Sequence, residues 1–293
     1  ETAACAADAA ELIEVDYDLL PSVAGCAAAF DDDAPQVHAG RDDNVLVRFG
    51  QSYGDADAAF DAAPHVFSER FVQHRGAAHP IEGRGAVARY DALDEATTLW
   101  SSTQMSHEVR SAIVQMFGID EGRIRVVAPD VGGGFGSKYI AYSEEVAVAL
   151  AARLLDAPVK WIEDRREHFT AAIQEREQDW TMEIAVDDDG RVLGVRGSML
   201  SDQGAYTPQG VNMAYNASTG VPGPYVVPNY EIDVHVMETN AVAAAPVRGA
   251  GYPEGNYTME RLLDRAAQGL GLDRAEIRRR NLIPADKMPY ETP

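Results

Sequence analysis

The sequence predicts an α+β chain, and three observations carry that prediction. A β-type segment, a glycine-rich loop and a helical segment follow one another between residues 123 and 155. Short β-type segments separated by turns run from Ala63 onward. Two amphipathic helical segments close the chain.

The elements are read in order. Residues 1 to about 25 read as the end of a helix followed by a strand at 12–17. Residues 27–54 are acidic and poorly periodic and read as an exposed connector. Segments 67–72, 85–90 and 97–101 have strand composition. Residues 106–116 read as a helix, with Val109, Ala112, Ile113 and Met116 at helical spacing. After a strand at 123–129, a helix at 142–155 repeats Val146, Leu150 and Leu154 every four residues, which marks these as its buried face. Segments 181–186 and 192–199 read as a hairpin around Asp189-Gly190. The stretch 204–230, rich in Gly, Pro, Asn and Tyr, reads as a long loop with a short helical piece, and loops of that length often line sites. The first closing helix places Met259, Leu262, Leu263 and Ala266 on one face. The second starts at Asp273, an N-cap with Glu276 three residues on. No internal repeat is present.

Composition narrows the function. A chain of 293 residues, 46% hydrophobic, can bury one large core or two smaller ones. Its net charge of −22 would be repelled by a phosphate backbone, which argues against nucleic acid as a partner. Acidic residues cluster at Asp31–Asp33 and Asp187–Asp189, and lysine occurs only at 138, 160 and 287. That balance fits a high-salt proteome or a GC-rich genome. No stretch has the length and apolarity of a membrane span. The alanine-rich N-terminus carries Glu1, Asp8 and Glu11, lacks a basic segment and does not read as a signal peptide, so a cytoplasmic location is expected. It also lacks an initiator Met, which suggests a processed chain or a piece of a longer one. Cys5 and Cys26 form no CxxC pair and read as incidental thiols, with no iron–sulfur or zinc spacing. His74, His79 and His107 read as structural, since no paired-ligand spacing joins them.

Residues 131–138 (VGGGFGSK) are the most informative run. Glycines between a strand and a helix let backbone N–H groups approach a bound group, and a helix N-terminus adds partial positive charge. Ser137 stands where a Walker A loop needs Gly and where the dinucleotide fingerprint needs its third Gly. The loop therefore reads as a cradle for an anionic group other than ATP or NAD, or as a tight turn packing a helix on a sheet. Gln104, after a strand, offers an uncharged donor. Arg248, in the small-residue run 245–255 (APVRGAGYPEG), offers a rigid fork of donors.

Together these two runs and Ser102-Thr103-Gln104 resemble the molybdenum hydroxylases, the family of xanthine dehydrogenase, aldehyde oxidase and aerobic carbon monoxide dehydrogenase. Segments 7–21, 158–165 and 275–282 are similar to that family as well. The resemblance implies the end of a small α/β, hammerhead-like domain plus connector over 1–62, then a first molybdenum-cofactor-binding domain over 63–293. It implies a molybdenum–molybdopterin cofactor, expected in the cytosine dinucleotide form, bound by Gln104, Gly133, Gly134, Phe135, Gly136, Arg248, Gly249 and Ala250. Gln104, Phe135 and Arg248 would lie near molybdenum without ligating it.

The resemblance further implies iron–sulfur clusters and FAD on partner subunits, and a small-molecule substrate, an aldehyde or an aromatic heterocycle, hydroxylated with water-derived oxygen. Tyr139 replaces the Glu that reads purines in xanthine-type enzymes, and Ala250 replaces a Phe; both are candidate substrate residues. The loop cysteine of carbon monoxide dehydrogenases is absent. The family's catalytic Glu lies in a later cofactor domain and has no match here, so it is expected on a second molybdopterin-binding domain or chain. The alternatives are a non-catalytic cofactor-binding or assembly module of this fold and a carbon monoxide dehydrogenase-like protein without that cysteine.

Overall fold

A computed structural model describes residues 2–291. In chain order the elements are α1 (Ala3–Glu11), α2 (Cys26–Ala29), β1 (Val45–Tyr53), α3 (Ala56–Ala62), β2 (His65–Gln73), β3 (Gly85–Asp91), β4 (Ala96–Ser101), α4 (Ser106–Phe117), β5 (Ile124–Val127), α5 (Ser143–Leu155), β6 (Val159–Ile162), α6 (Arg165–Ala171), β7 (Gln178–Val186), β8 (Val192–Asp202), α7 (Asn212–Gly220), β9 (Tyr230–Met237), α8 (Tyr252–Leu270) and α9 (Arg274–Asn281). No described helix is long and apolar enough to cross a membrane.

The strands form two mixed sheets. The larger has the order β1-β9-β8-β7-β2 and the smaller β5-β4-β3-β6. Parallel pairing occurs at β8–β9 and β4–β5. The hairpin expected around Asp189-Gly190 joins β7 to β8, where Gly190 takes φ +75° and donates to the Asp187 carbonyl. Helix α8 lays the expected face, Met259, Leu262, Leu263 and Ala266, onto the larger sheet, and all four are buried. Each of its large side chains contributes about 1.5–3 kcal/mol by leaving water. Asp273 caps α9 as expected, its carboxylate accepting from the N–H groups of Ala275 and Glu276.

Several expectations are corrected. Residues 45–53 are not a connector: they form β1, paired antiparallel along β9. The acidic stretch before it is partly packed. Cys26 and Ala29 bury beside Met237, and the buried Asn44 amide accepts from Val37 N–H and donates to the Pro35 carbonyl. Residues 12–17 form no strand, because no segment pairs with them, and Leu12, Ile13 and Tyr17 stay exposed.

The buried face of α5 is Val148, Ala149 and Ala152, while Leu150 and Leu154 point outward. The alanines let this helix lie close on β3, where leucines would hold it off. On α4, Val109 and Ile113 are buried, but Met116 is exposed and Phe117 packs inward instead.

Candidate functional site

The site is built on the loop between β5 and α5. Gly133 (φ +94°), Phe135 (φ +53°) and Gly136 (φ +108°) turn the backbone sharply. A left-handed phenylalanine costs about 1–3 kcal/mol unless its surroundings hold it. Here the Phe135 carbonyl accepts from Arg248 N–H at 2.9 Å, and its ring is left about half exposed.

Glu82 anchors the start of the loop. One carboxylate oxygen accepts from Gly132 N–H at 2.7 Å and from the Lys138 ammonium at 2.6 Å. The Lys138 hydrogen bond, aided by Gly132 and opposed by partial burial, holds the Glu82 carboxyl below the usual carboxylate range. Lys138 itself is buried, so it braces the loop and does not face a ligand.

Gln104 follows β4 and reaches the same loop. Its N–H donates to the Lys138 carbonyl at 2.9 Å, and its Oε1 accepts from Gly136 N–H at 3.0 Å. With Oε1 so engaged, Nε2 remains as a donor on the exposed side. A Cβ at Gly134 would lie 2.3 Å from that oxygen, so glycine leaves the Gln104 amide in place.

Arg248 arrives from the other sheet. Gly249 (φ +107°), Ala250 (φ +50°) and Gly251 (φ +101°) form a tight turn ending at the start of α8. Asn216 Nδ2 fixes it by donating to the Ala250 carbonyl at 3.0 Å. The guanidinium of Arg248 is exposed. The two loops touch at Gly136, where a Cβ would sit 2.1 Å from the Pro246 carbonyl oxygen.

Gln104, Gly133, Gly134, Phe135, Gly136, Arg248, Gly249 and Ala250 thus come together as expected from sequence. Tyr139 lies in the loop's last turn, half-buried, with its N–H on the Gly136 carbonyl. The helix expected after the loop is α5. Helix α5 begins only at Ser143, and the Glu145 carboxylate takes the Tyr142 N–H at its start. Burial, opposed by Ser101 and Tyr142, raises the Glu145 carboxyl above its ordinary value.

A buried polar brace behind the loop escaped sequence reasoning. The Tyr142 hydroxyl donates to the Ser137 carbonyl at 2.6 Å, and the Arg84 guanidinium stacks 3.7 Å over the Tyr142 ring. Glu163 receives Arg84 Nε at 2.8 Å and Arg84 N–H at 2.7 Å, and also meets His168 Nδ1 at 3.1 Å. The only available signal was Glu163 in the family-like run 158–165. His79 packs against the rings of His168 and Phe169. Among the described residues no group of His, Cys, Asp or Glu is arranged to hold a metal ion. Cys5 is exposed, and burial pushes the Cys26 thiol up to about 12.

Residues 37–282 match the family model described as the molybdopterin cofactor-binding domain. The chain belongs to that family. This molybdopterin cofactor-binding domain is 37% identical to the nicotine 6-hydroxylase large subunit of Paenarthrobacter nicotinovorans over 100% of its own length, which is 36% of the relative's. It is 33% identical to the carbon monoxide dehydrogenase large chain of Afipia carboxidovorans, covering 98% of this chain and 38% of that one. The quinoline 2-oxidoreductase of Pseudomonas putida 86 superposes with a TM-score of 0.93 at 37% identity, over 99% of this chain and 37% of that one. The chain therefore spans little more than a third of these molybdenum hydroxylases.

The residues present fit the cofactor. Gly136 stands where a Cβ would collide with the Arg248 loop, and Gly134 where a Cβ would meet the Gln104 side chain. Gln104 joins this loop through Gly136 and Arg248 joins it through the Phe135 carbonyl, which brings an amide and an exposed guanidinium to it, a donor set suited to an anionic group.

Proposed function

We propose that this chain forms one wall of the active site of a molybdenum-dependent hydroxylase acting on an aldehyde or an aromatic heterocycle with water-derived oxygen. The observation that carries the reading is the convergence of three separate segments on one cradle. Gln104, the glycine loop and the Arg248 loop are joined by Gly136 N–H to Gln104 Oε1 and by Arg248 N–H to the Phe135 carbonyl.

When bound, the molybdenum–molybdopterin group, in our reading the cytosine dinucleotide form, supplies two-electron redox chemistry. This chain's residues bind and orient. Gln104 Nε2 donates without adding charge, Phe135 excludes water from one side, and Arg248 offers a positive fork. Tyr139 and Ala250 take the places of purine-reading groups, which supports a substrate other than a purine.

A carboxylate base on a second cofactor-binding domain or chain, together with iron–sulfur and flavin partner subunits in the cytoplasm, completes this proposal. The apolar side chains exposed in 12–20 support reading the N-terminal part of segment 1–62 as the end of a small α/β domain.

In the assembled enzyme, Gln104→Ala or Arg248→Ala should lower turnover by roughly tenfold or more, about 1.4 kcal/mol in barrier. Wild-type rates in both variants at full molybdenum loading would reject the assignment.

The acidity carries a separate expectation, that of a high-salt protein. Carboxylates repel across the surface, and the Debye length falls to about 3 Å at 1 M salt. The melting temperature should rise between about 0.05 M and about 2 M KCl, with sorbitol as the non-ionic control. A flat or falling melting temperature would leave codon bias as the reason for the composition.

A further inference from the structure

Away from the cradle, a cavity of about 860 Å³ opens beside β1, α7 and the first turns of α8. Six tyrosines line it: Tyr53, Tyr215, Tyr225, Tyr230, Tyr252 and Tyr290. Tyr225 and Tyr230 form a buried floor, while Tyr215 and Tyr252 are exposed at the rim. The floor rings are fixed, since the Tyr225 hydroxyl donates to Glu260 and the Tyr230 hydroxyl to the Ser218 carbonyl, each at 2.6 Å. Tyr53 and Tyr230 lie with ring centroids 5.7 Å apart. Among the described residues no charged side chain lines the cavity. The volume falls within the range of small-molecule sites.

We propose that this tyrosine-walled cavity is a binding site for a planar heteroaromatic cation carrying a hydrogen-bond acceptor. The ring faces carry negative quadrupole charge that attracts a cation placed over one, the more so where water is excluded. The field of a chain with net charge −22 draws a cation toward this wall and repels an anion. An aromatic floor between aromatic rims suits a flat ring. Gln51 supplies the acceptor requirement: it lines the cavity, and its Nε2 is buried without a hydrogen-bond partner. A ligand carbonyl would satisfy that donor. Burial pushes the Tyr53 and Tyr225 phenols up to about 12, so at these two the attraction comes from ring faces and not from phenolates.

The test is isothermal titration of the purified protein with three closely matched probes. These are 1-methylnicotinamide (cation), nicotinamide (neutral) and nicotinate (anion). The cation should saturate one site, the neutral amide should bind about tenfold more weakly, and the anion more weakly still. Tyr252→Leu, at the exposed rim, should weaken the cation about tenfold, whereas Tyr252→Phe should stay within about threefold because the ring face remains. Gln104→Ala should leave the affinity unchanged, which separates this cavity from the cradle. Absence of saturation below about 10 mM, equal binding of the three probes, or parent-like affinity in folded Tyr252→Leu would each overturn the proposal. So would loss of binding in Gln104→Ala.

Discussion

Gly136→Ala is expected to abolish the cradle. The new Cβ would lie 2.1 Å from the Pro246 carbonyl oxygen and 2.7 Å from Val247 Cα, both backbone atoms that cannot swing away. The residue also sits at φ +108°, outside the regions open to alanine. Backbone strain of this kind costs about 1–3 kcal/mol before any clash is counted. The two loops must then separate. That breaks the contact of Gly136 N–H with Gln104 Oε1 and moves Arg248 away from Phe135. The expected result is a folded but destabilised protein, whose assembled enzyme carries little molybdenum. Far-UV circular dichroism, a thermal melt and metal analysis of the purified complex check it. Parent-like melting together with full molybdenum content would show that the loops need not touch. Gly118→Ala is a suitable control, because its Cβ would meet nothing within 4 Å while its φ of +63° also strains a side chain.

Glu163→Ala is expected to cost about as much, by a different route. Its carboxylate holds both Arg84 and His168, and the side chains of the three are almost wholly buried. Removing one partner of a buried ion pair leaves an uncompensated charge and typically costs about 3–5 kcal/mol. Glu144 also reaches Arg84, at 3.2 Å, and offsets part of that loss. Urea unfolding at neutral pH should show the lower midpoint, with Glu163→Gln intermediate because it still accepts a hydrogen bond.

The same group sets a pH dependence. Burial alone would raise the Glu163 carboxyl, but the hydrogen bonds from Arg84 win and hold it below its ordinary value. A depressed folded-state pKa contributes stability that is complete above the unfolded value, about 4.3 for Glu, and is lost as pH falls through the folded one. The parent should therefore lose stability below about pH 4.3, and Glu163→Gln should lose less over that window. Parallel acid-unfolding curves for the two proteins would reject the assignment.

The residues of the cradle were legible in the sequence because they lie in short runs that resemble one family, although the glycine loop read alone fits a tight turn equally well. Glycines at 133, 134 and 136 relieve backbone constraints within one loop, and Gln104 and Arg248 carry donors whose type shows in their short runs. The hairpin at Gly190, the face of α8 and the Asp273 cap were legible because each is decided within a few neighbouring residues. Strand β9 could have been read too. Tyr230, Ile232, Val234 and Val236 alternate with polar residues and are all buried, yet the long loop before them obscured the period.

Tertiary structure decided what periodicity cannot express. Amphipathic spacing marks apolar positions on α5, but the distance available above β3 selects Ala149 and Ala152 over Leu150 and Leu154. Pairing of β1 with β9 joins residues nearly two hundred positions apart, and loop-closure entropy leaves no local trace of such a choice. The brace has the same character. Glu82 meets Lys138 across 56 residues, and Glu163 meets Arg84 across 79. Each looks like an ordinary surface charge until the fold supplies its partner, and Glu163 and Lys138 are buried as well. The six tyrosines likewise lie scattered from position 53 to 290 and become one wall only when β1, β9, α7 and α8 converge. Sequence alone determined which donors and glycines the cradle loops carry, because residue type and short-range backbone freedom are local. The fold alone decided which buried charges support them, because burial and partnership are set by segments distant along the chain.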